Sequence, residues 1–598
     1  MQDYSKAPDL TDSLKKKKSN QQNKPKIAIT IIIAVIIMLI LVGILISRIV
    51  YLDTAESQFL NQKGNNEAIH SYNIHAARGL LLDRDGRPLA VSTMLYEVIF
   101  DIKIMKDNPK KYQLLSQIPV AGFDINSINQ LIGEYPNKRY YIAAKYIPPN
   151  QAREIKSLHI PGVHLQKQMR TYYPLADIAS QVVGFTNSKN QGQSGIELQY
   201  NSNLLGKSGQ KTIETDAYGN LIRNINIATL PHDGQDIQLS IDSMIQYFAY
   251  QALKKGVIKA EASSGSVAVI NPKTGEVLAI ASYPGFNPNA FSQRSGAGVK
   301  NRAIVDTFEP GSTIKPFIAA LALNMNKITP DTVFDTSPGT YRIQKHIIHD
   351  DANFGAITVT QIIQKSSNIG ILKIEQLIPK IDVYHYLQNL GFGGSSFLFP
   401  GINMGYLPYI PKLGELSYAN ISFGYAMTSS VLQLAHAYTV FANNGKLCPL
   451  SLTKTNLSNL ECKQIVKPEV TNDILAMLKS VTNTHGTGVL ASIAGYDVGG
   501  KTGTTNQVVN GQFSHKYYNA VFAGIAPLHN PRLVIVIWID KPLKGRLYRF
   551  GGVSAAPIFA QIAENSLKYL GVSYTTDLEP YNKISGNKQW LLKVIANN

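Results

Sequence analysis

The 598-residue sequence predicts an α+β protein with a single N-terminal transmembrane helix, an elongated mixed α/β domain and a C-terminal domain built on one antiparallel sheet. Three observations carry this prediction. An uninterrupted apolar run occupies residues 27–47, β-rich segments lie at 265–284 and again at 496–540, and a mostly helical pattern separates those two regions. Strands at both ends of such a stretch imply one sheet assembled from distant parts of the chain, with helices packed on it.

The apolar run Ile27–Ser47 contains no charge, and at about 1.5 Å per residue it spans roughly 31 Å, the thickness of a bilayer's hydrocarbon core. No small-residue cleavage site follows it, which predicts a retained anchor, not a signal peptide; a buried core helix is the alternative. Lys15–Lys18, Lys24 and Lys26 precede the run and Arg48 alone follows it closely. The positive-inside rule therefore predicts a cytoplasmic tail at 1–26 and export of residues 48–598. Nucleic acid is excluded as a partner despite the net charge of +18, because most of the chain never meets it.

The exported part divides into two predicted domains. Residues 48–235 combine an extended stalk (48–74) with short strand and helix patterns, including a hairpin at Ala77–Ser92 whose turn is Asp85-Gly86. We find no catalytic constellation there, so this part is predicted to be a spacer and docking domain.

Residues 236–572 form the second predicted domain, which opens with a helix capped by Asp242 and closes with a helix over Ser554–Leu570. A loose tail, 573–598, follows. Cys448 and Cys462 could pair outside the membrane, but the sequence alone leaves this open. Neither a metal site nor a cofactor is predicted.

A serine acylation site needs a nucleophile, a nearby base, a second proton relay and donors for the oxyanion. Three short motifs supply these groups, and each also has false copies. S-x-x-K starts at Ser13, Ser208, Ser312, Ser451 and Ser585; S-x-N starts at Ser71, Ser127, Ser188, Ser366 and Ser585; K-T-G starts at Lys273 and Lys501.

Context selects one copy of each motif. Ser312 alone stands at the start of an apolar helix, where residues i and i+3 share a face and Lys315 therefore lies over the hydroxyl. An ordinary helix N-cap is the structural alternative for Ser312. Lys273 belongs to a hairpin turn, whereas Lys501 enters a strand that projects Thr502 and Thr504 to one side.

Each selected residue has a predicted task. Ser312 attacks a carbonyl, and Lys315 accepts its proton as a neutral amine whose pKa is lowered by burial and by the positive charge of Lys501. Ser366 relays that proton to the leaving nitrogen, and Asn368 hydrogen-bonds the substrate's backbone amide. The N–H groups of Ser312 and Thr504 form the oxyanion hole. Lys501, Thr502, Gly503 and Thr504 are the candidate clamp for a terminal carboxylate, which predicts a peptide substrate cleaved near its free C-terminus.

Together the motifs are the set shared by penicillin-binding proteins and class A β-lactamases. With the segments "RGLLLDRDGRPLA", "SGIELQYNSNLLG", "NRAIVDTFEPGSTIKP", "SFGYAMTSSVLQLAHAY" and "GGVSAAPIF", the sequence resembles class B penicillin-binding proteins, most closely the division-specific D,D-transpeptidases of the FtsI type. The resemblance spans roughly residues 70–570. Departures are Ser430, where proline is common, and Thr505, where alanine is usual; neither is expected to touch the chemistry, and Thr505 is expected to affect the fit of β-lactams.

The resemblance implies a five-stranded, serine β-lactamase-like transpeptidase domain on a pedestal, or dimerisation-type, domain that includes Arg78, Gly79 and Glu197. It implies acylation of Ser312 by a stem pentapeptide ending in D-Ala-D-Ala, attack by a neighbouring stem's amine, and inhibition by β-lactams. It further implies the inner membrane and septum as location, the other parts of the division machinery as partners, and a membrane glycan polymerase among them.

Rival functions make different demands on the sequence. A bifunctional wall enzyme would carry a glycosyltransferase segment, and a β-lactamase needs neither anchor nor pedestal. A β-lactam sensor should show several membrane spans, and an inactive scaffold would not keep all three motifs. An elongation-specific transpeptidase is the nearest alternative. The "FEPGST" segment is the feature that favours the septal branch over it.

Overall fold

A computed structural model of the chain describes residues 12–74, 76–117, 124–215, 221–394, 399–509 and 511–575. The helices are α1 Asp12–Thr54, α2 Ser57–Ala68, α3 Ile102–Met105, α4 Pro109–Tyr112, α5 Ile125–Glu134, α6 Pro149–Ser157, α7 Ser180–Val183, α8 Gly195–Gln199, α9 Asn201–Leu204, α10 Ser243–Lys259, α11 Arg302–Val305, α12 Lys315–Asn324, α13 Val359–Lys365, α14 Asn368–Glu375, α15 Lys380–Asn389, α16 Glu415–Ser422, α17 Val431–Tyr438, α18 Pro468–Thr482, α19 Gly545–Tyr548, α20 Gly551–Ser554 and α21 Ala556–Tyr569.

Short and long strands alternate with these helices. They are β1 Ile69–Ile74, β2 Leu81–Leu82, β3 Pro88–Phe100, β4 Tyr141–Ile147, β5 Val163–Tyr172, β6 Gly209–Thr215, β7 Leu221–Thr229, β8 Ile237–Gln238, β9 Ser264–Ile270, β10 Val277–Tyr283, β11 Val333–Asp335, β12 Thr340–Ile343, β13 His346–His349, β14 Ala356–Thr358, β15 Lys446–Leu447, β16 Lys463–Gln464, β17 Gly499–Val509, β18 Gln512–Ala526 and β19 Leu533–Asp540.

The chain divides into two compact units. The first runs to residue 75 and includes Ser208–Pro231. Within α1, the stretch Ala28–Thr54 contains an 18-residue window with a mean hydropathy of 3.5 and is long and apolar enough to cross a membrane. Strands β1, β6 and β7 form an antiparallel sheet in the same unit.

One prediction for this unit is wrong. Residues 48–74 were expected to be an extended stalk, but α1 continues to Thr54, α2 covers Ser57–Ala68 and extended chain begins only at Ile69. The segment contains no proline and a single glycine, Gly64, so the helical conformation continues out of the apolar run.

The second unit, Ala76–Lys207 with His232 onward, contains the antiparallel sheet predicted from the distant β-rich segments. Its order is β10-β9-β19-β18-β17, and each neighbouring pair is antiparallel. The prediction of one sheet built from both ends of the domain is therefore confirmed.

Both faces of this sheet are buried. Successive side chains of a strand point to opposite faces, and each face packs against its own hydrophobic core. Val267, Val269 and Ile537 join the core that holds α10 and α21. Ala268 and Val536 join the opposite core, which includes α12, buried from Lys315 to Leu323. This two-sided burial explains why the strands read as continuous apolar runs.

The N-cap predicted at Asp242 is present, since its carboxylate accepts from the N–H groups of Met244 and Ile245.

The same unit contains a smaller sheet around β3, which pairs with β2, β4 and β5, while β2 also pairs with β8. The predicted hairpin is confirmed: β2 and β3 are antiparallel, and Gly86 takes a φ of 84° at the turn. The guanidinium of Arg78 makes a buried ion pair with Glu197, whose other carboxylate oxygen accepts from the hydroxyl of Tyr173 at 3.3 Å.

Two remaining expectations concern the cysteines and the C-terminus. Cys448 and Cys462 are joined by a disulfide, which answers a question the sequence left open. Of the predicted loose tail, Tyr574 packs against the ring of Tyr496 at 5.2 Å. The tail beyond Thr575 lies outside the described residues.

Candidate active site

Ser312 lies in a tight 3₁₀ turn, Gly311–Ile314, that leads directly into α12. In such a turn residues i and i+3 eclipse, so Lys315 follows Ser312 on the same side. The N-cap positions of the turn and the helix are held by Pro310 and Ile314, and neither makes a side-chain capping bond within the described chain. The N-cap alternative for Ser312 is therefore excluded. Ser312 is half-buried, whereas Lys315 is completely buried.

The turn is fixed by close backbone contacts. Gly311, with a φ of 57°, donates its N–H to the carbonyl of Gly424 at 3.1 Å. A Cβ on Gly311 would lie 3.7 Å from the backbone nitrogen of Thr504, so that amide is close to the residue preceding Ser312. Gly503 meets the turn from the sheet side, because a Cβ there would lie 2.9 Å from the carbonyl oxygen of Pro310.

The amine of Lys315 reaches the second motif. Its Nζ lies 2.7 Å from Oδ1 of Asn368, 3.3 Å from Oγ of Ser366 and 2.5 Å from the Ser366 carbonyl oxygen. Ser366 ends α13 in the left-handed conformation, with φ 62° and ψ 36°, and Ser367 then caps α14. A non-glycine residue in this conformation is strained and is held by its surroundings.

Lys501 completes the cluster from β17, where its side chain is also completely buried. Its Nζ donates to Oγ of Ser366 at 2.9 Å and to the carbonyl of Thr502 at 3.2 Å. The Ser366 hydroxyl therefore lies between the amines of Lys315 and Lys501, each within hydrogen-bond distance.

Burial sets the protonation of both amines, because a low-dielectric environment disfavours the charged form. Burial lowers the pKa of Lys315 to about 7, against a smaller opposing effect of the nearby Asp350 and Asp351 carboxylates. Burial and the positive charge of Lys315 together lower the pKa of Lys501 well below its ordinary value. The like-charge effect that was predicted for Lys315 thus acts on Lys501.

The two threonines of the third motif share one face of β17, as strand geometry requires. Oγ1 of Thr502 lies 2.8 Å from Oγ1 of Thr487, and Oγ1 of Thr504 accepts the N–H of Gly551 at 3.2 Å. Thr487 was not identified from the sequence, because only the folded chain brings residues 487 and 502 together.

The residues of β17 on the other face point toward the Ser312 turn. Thr505 donates its hydroxyl to the carbonyl of Glu309 at 3.3 Å, and its methyl group lies against Gly311. Thr505, expected not to touch the chemistry but to affect the fit of β-lactams, is a direct neighbour of the turn that holds Ser312. Ser430, the other departure, caps α17 with a reciprocal bond to Gln433, which accounts for it locally.

The false copies of the motifs whose side chains are described lie in other settings. Lys273 stands in the β9–β10 turn and donates to the side chain of Asn530 at 2.7 Å. Ser451 donates to the carbonyl of Thr453 at 2.7 Å. The side chains of Lys315, Ser366, Asn368 and Lys501 meet in one cluster, and Ser312 lies in the turn that leads into Lys315. A serine in the turn before a buried lysine with a lowered pKa is a set suited to acyl transfer.

Comparisons with known proteins identify two domain types in the chain. Residues 265–564 match the family model described as penicillin binding protein transpeptidase domain, and residues 73–239 match the penicillin-binding protein dimerisation domain.

Relatives with similar sequences extend over most of the chain. A protein of Pseudomonas aeruginosa named probable peptidoglycan D,D-transpeptidase PbpC is 37% identical over 531 residues, covering 88% of this chain and 92% of that protein. The peptidoglycan D,D-transpeptidase FtsI of Escherichia coli is 32% identical over 554 residues, covering 92% of each.

Solved structures show the same likeness in three dimensions. The transpeptidase domain of Burkholderia pseudomallei penicillin-binding protein 3 is 37% identical, with a TM-score of 0.52 over 56% of this chain and 98% of that one. Penicillin-binding protein 3 of Mycobacterium tuberculosis, solved with aztreonam, is 25% identical, with a TM-score of 0.65 over 85% of this chain and 99% of that one. On these matches and on its two domain types, the chain belongs to the class B penicillin-binding proteins.

Proposed function

We propose that this chain is a peptidoglycan D,D-transpeptidase that cross-links stem peptides of the septal wall during cell division, through an acyl-enzyme on Ser312. The observation that carries the proposal is the position of the Ser366 hydroxyl between the buried amines of Lys315 and Lys501. Relatives named peptidoglycan D,D-transpeptidase, over about nine tenths of the chain, support the reaction class.

In the acylation step, the Ser312 hydroxyl attacks the carbonyl of the penultimate D-alanine and gives its proton to Lys315. This transfer needs an unprotonated amine, which a pKa of about 7 supplies near neutral pH. The N–H groups of Ser312 and Thr504 stabilise the tetrahedral oxyanion. Ser366 then passes a proton to the departing D-alanine nitrogen, and the ester on Ser312 remains.

In the second step, the amine of a neighbouring stem attacks this ester, loses its proton through the same relay, and restores the Ser312 hydroxyl. The substrate's terminal carboxylate would bind along β17, at Thr502, Gly503 and Thr504. Asn368 would bind its backbone amide. β-Lactams would acylate the same serine, since they resemble the D-Ala-D-Ala end. The aztreonam complex of the M. tuberculosis relative supports the binding of such a compound.

The domain assignment belongs to the same proposal. Residues 1–26 form the cytoplasmic tail, 27–47 the core of the inner-membrane anchor, 48–235 the pedestal, 236–572 the transpeptidase domain and 573–598 the tail. A glycan polymerase of the membrane and other division proteins are the proposed partners. The FtsI name of several relatives and the "FEPGST" segment support the septal branch.

Depletion of the protein tests the septal role. Cells that lose it should grow into filaments, and a wild-type copy should restore division. A Ser312→Ala copy should fail to restore it, whereas Ser208→Ala, in an exposed false copy of the same motif, should restore it fully. Round cells would place the chain in the elongation branch, and rescue by Ser312→Ala would refute the transpeptidase mechanism.

A further inference from the structure

Four polar side chains form a row across one end of the five-stranded sheet, and we call them the polar row. Thr505 on β17 lies opposite Asn519 on β18, which lies opposite Asp540 on β19. Asp540 in turn lies opposite Ser264 at the start of β9. Directly opposed residues of antiparallel strands share one face of the sheet, so the four side chains are neighbours. Thr505, Asn519 and Ser264 are buried.

The side-chain amide of Asn519 has its orientation set by two neighbouring donors. Nε1 of Trp538 lies 3.1 Å from Oδ1 of Asn519, and an indole N–H can only donate. Nε2 of Gln507 lies 2.8 Å from the same oxygen and 2.7 Å from Oδ1 of Asp540, so it donates to both acceptors. Oδ1 of Asn519 therefore faces Trp538 and Gln507, and Nδ2 is turned toward β17.

The amide in turn sets the direction of the Thr505 hydroxyl. Nδ2 of Asn519 donates to Oγ1 of Thr505 at 3.2 Å, so this hydroxyl accepts a bond from β18. A hydroxyl has one proton to donate, and its other partner among the described residues is the carbonyl oxygen of Glu309 at 3.3 Å, which can only accept. A directed series of hydrogen bonds therefore runs from Asn519 through Thr505 to Glu309.

The last of these bonds joins the two segments that carry the proposed oxyanion donors. The N–H of Ser312 belongs to the 3₁₀ turn, and the N–H of Thr504 belongs to β17. Glu309 lies just before that turn, and Thr505 follows Thr504 directly. The bond between Thr505 and Glu309 therefore limits how far the two donors can move apart. Oxyanion stabilisation depends on donors that are held in place before the reaction.

Trp538 also contacts the segment before Ser312 through its ring. It stacks on the ring of Phe308 with centroids 5.1 Å apart and planes inclined by 11°. Phe308 precedes Ser312 by one helical turn of sequence and donates its N–H to the carbonyl of Ser429 at 3.0 Å. Trp538 therefore has two separable contacts, because Trp538→Phe would keep an aromatic ring there and remove the N–H that orients Asn519.

We propose that Asn519 is a positioning residue of the active site: it directs the Thr505 hydroxyl onto the Glu309 carbonyl and so holds the two N–H groups of the oxyanion hole in register. The inference rests on the proposed function, because it deepens the account of the same site. Asn519 acts through Thr505 and is not itself proposed to touch the substrate. The hydroxyl that it directs comes from a departure in the sequence, since the alanine usual at position 505 has none.

The test is a double-mutant cycle on the full-length protein in detergent, comparing wild type, Asn519→Asp, Thr505→Val and the double variant. Acylation by fluorescent penicillin is followed by stopped flow. Its saturation with penicillin concentration separates the acylation rate constant from the dissociation constant of the noncovalent complex. The rate constant comes from molecules that become labelled, so a misfolded fraction does not enter it.

Asn519→Asp keeps the acceptor that faces Trp538 and Gln507 but removes the donor to Thr505. The Thr505 hydroxyl should then donate to the new carboxylate and release the Glu309 carbonyl. In Thr505→Val the hydroxyl is absent, so the same change at position 519 has nothing to redirect. Any effect of the added carboxylate through its charge is present in both backgrounds and cancels from the comparison.

The loss of acylation rate constant caused by Asn519→Asp should be about 5- to 30-fold larger in the wild-type background than in the Thr505→Val background. The dissociation constant should change by less than about twofold, because Asn519 is buried in the sheet and a positioning role acts on the chemical step. If Asn519→Asp yields no labelled protein, Trp538→Phe takes its place in the cycle and should show coupling of the same sign.

Ser264→Ala is the matched control within the polar row. It removes a hydrogen bond of 3.1 Å to Asp540 at the far end of the row and leaves the bonds of Asn519 in place. Its acylation rate constant should stay within about twofold of wild type. A loss as large as that of Asn519→Asp would contradict the proposed role, because it would show that any damage to the row slows acylation.

Equal losses in the two backgrounds, or no loss in either, would overturn the positioning role and leave Asn519 a structural part of the sheet. Ser312→Ala, measured in parallel, separates this result from failure of the proposed function. If Ser312→Ala is not labelled and the cycle shows no coupling, only the positioning role is refuted; labelled Ser312→Ala refutes the function itself.

Discussion

At the scale of single residues, the proposed chemistry rests on two buried lysines that share one hydroxyl. Lys315 and Lys501 have no exposed surface, and both amines lie within hydrogen-bond distance of the Ser366 hydroxyl. Burying an ammonium group without a paired anion is costly, so the protein lowers the proton affinity of these amines. A lysine that is neutral near pH 7 can accept a proton from an alcohol, which a solvated lysine at the same pH cannot do.

The pH dependence of acylation follows from this protonation state. Because Lys315 must be unprotonated and its pKa is about 7, the acylation rate should rise with pH and reach half its plateau close to pH 7. Below that midpoint the rate should fall about tenfold per pH unit, as the neutral fraction does. Stopped-flow or gel measurements with fluorescent penicillin between pH 5.5 and 9 would show this limb. A midpoint near the ordinary lysine pKa would contradict the assignment of Lys315 as base.

The sequence was sufficient to select the residues of the cluster but not the contacts that hold them. Ser312, Ser366 and Lys501 stood out because each begins a motif in a recognisable local context. Asn519 and Thr487 carry no such signal, since their importance comes from tertiary contacts across 14 and 15 residues of chain.

At the scale of elements, the site lies where three segments meet: the 3₁₀ turn before α12, the turn between α13 and α14, and strand β17. The 3₁₀ turn before α12 packs against β17, where Gly503 permits close approach, and the α13–α14 turn brings Ser366 between them. The buried helix α12 anchors the segment that carries Ser312 in the core.

The sheet was predictable from its apolar strands, because two-sided burial leaves a clear pattern. The helical continuation through residues 48–68 was not, since polar residues that tolerate a helix also suit an extended linker.

The Cys448–Cys462 disulfide closes a loop that hydrogen-bonds to the chain at the start of β10 and after β8. Cys448 and Cys462 flank a loop in which the carbonyl of Ser451 accepts the N–H of Val277 at 2.9 Å and the carbonyl of Leu452 accepts that of Ser240 at 2.8 Å. The bond therefore constrains a segment that pairs with the start of β10 and with the chain following β8.

Removal of this bond should destabilise the protein with little effect on the acylation rate of the folded form. A cross-link over a loop of 14 residues contributes about 3 kcal/mol to the free energy of unfolding. Urea unfolding of the full-length protein in detergent, comparing wild type with the Cys448→Ser/Cys462→Ser double variant, measures this difference. Dithiothreitol should reproduce the loss in wild type and leave the double variant unchanged; equal stability of all four samples would contradict the prediction.

At the scale of the whole molecule, each compact unit has its own task. The first contains the apolar stretch Ala28–Thr54, suited to anchoring the chain at a membrane. The second contains the β3 sheet with its buried Arg78–Glu197 pair and the five-stranded sheet with the candidate catalytic cluster. The chain matches its relatives over about nine tenths of their length, so the likeness extends beyond the transpeptidase domain.

Location of the covalent penicillin adduct tests the central claim most directly. The full-length protein is labelled with a β-lactam, digested with trypsin and analysed by mass spectrometry. Because Lys315 precedes Pro316, cleavage should leave Ser312 in a peptide that begins at Ala303 and ends at Lys327. The account predicts a single adduct on Ser312 that disappears in Ser312→Ala. An adduct on Ser366, or an undiminished adduct in the Ser312→Ala protein, would contradict it.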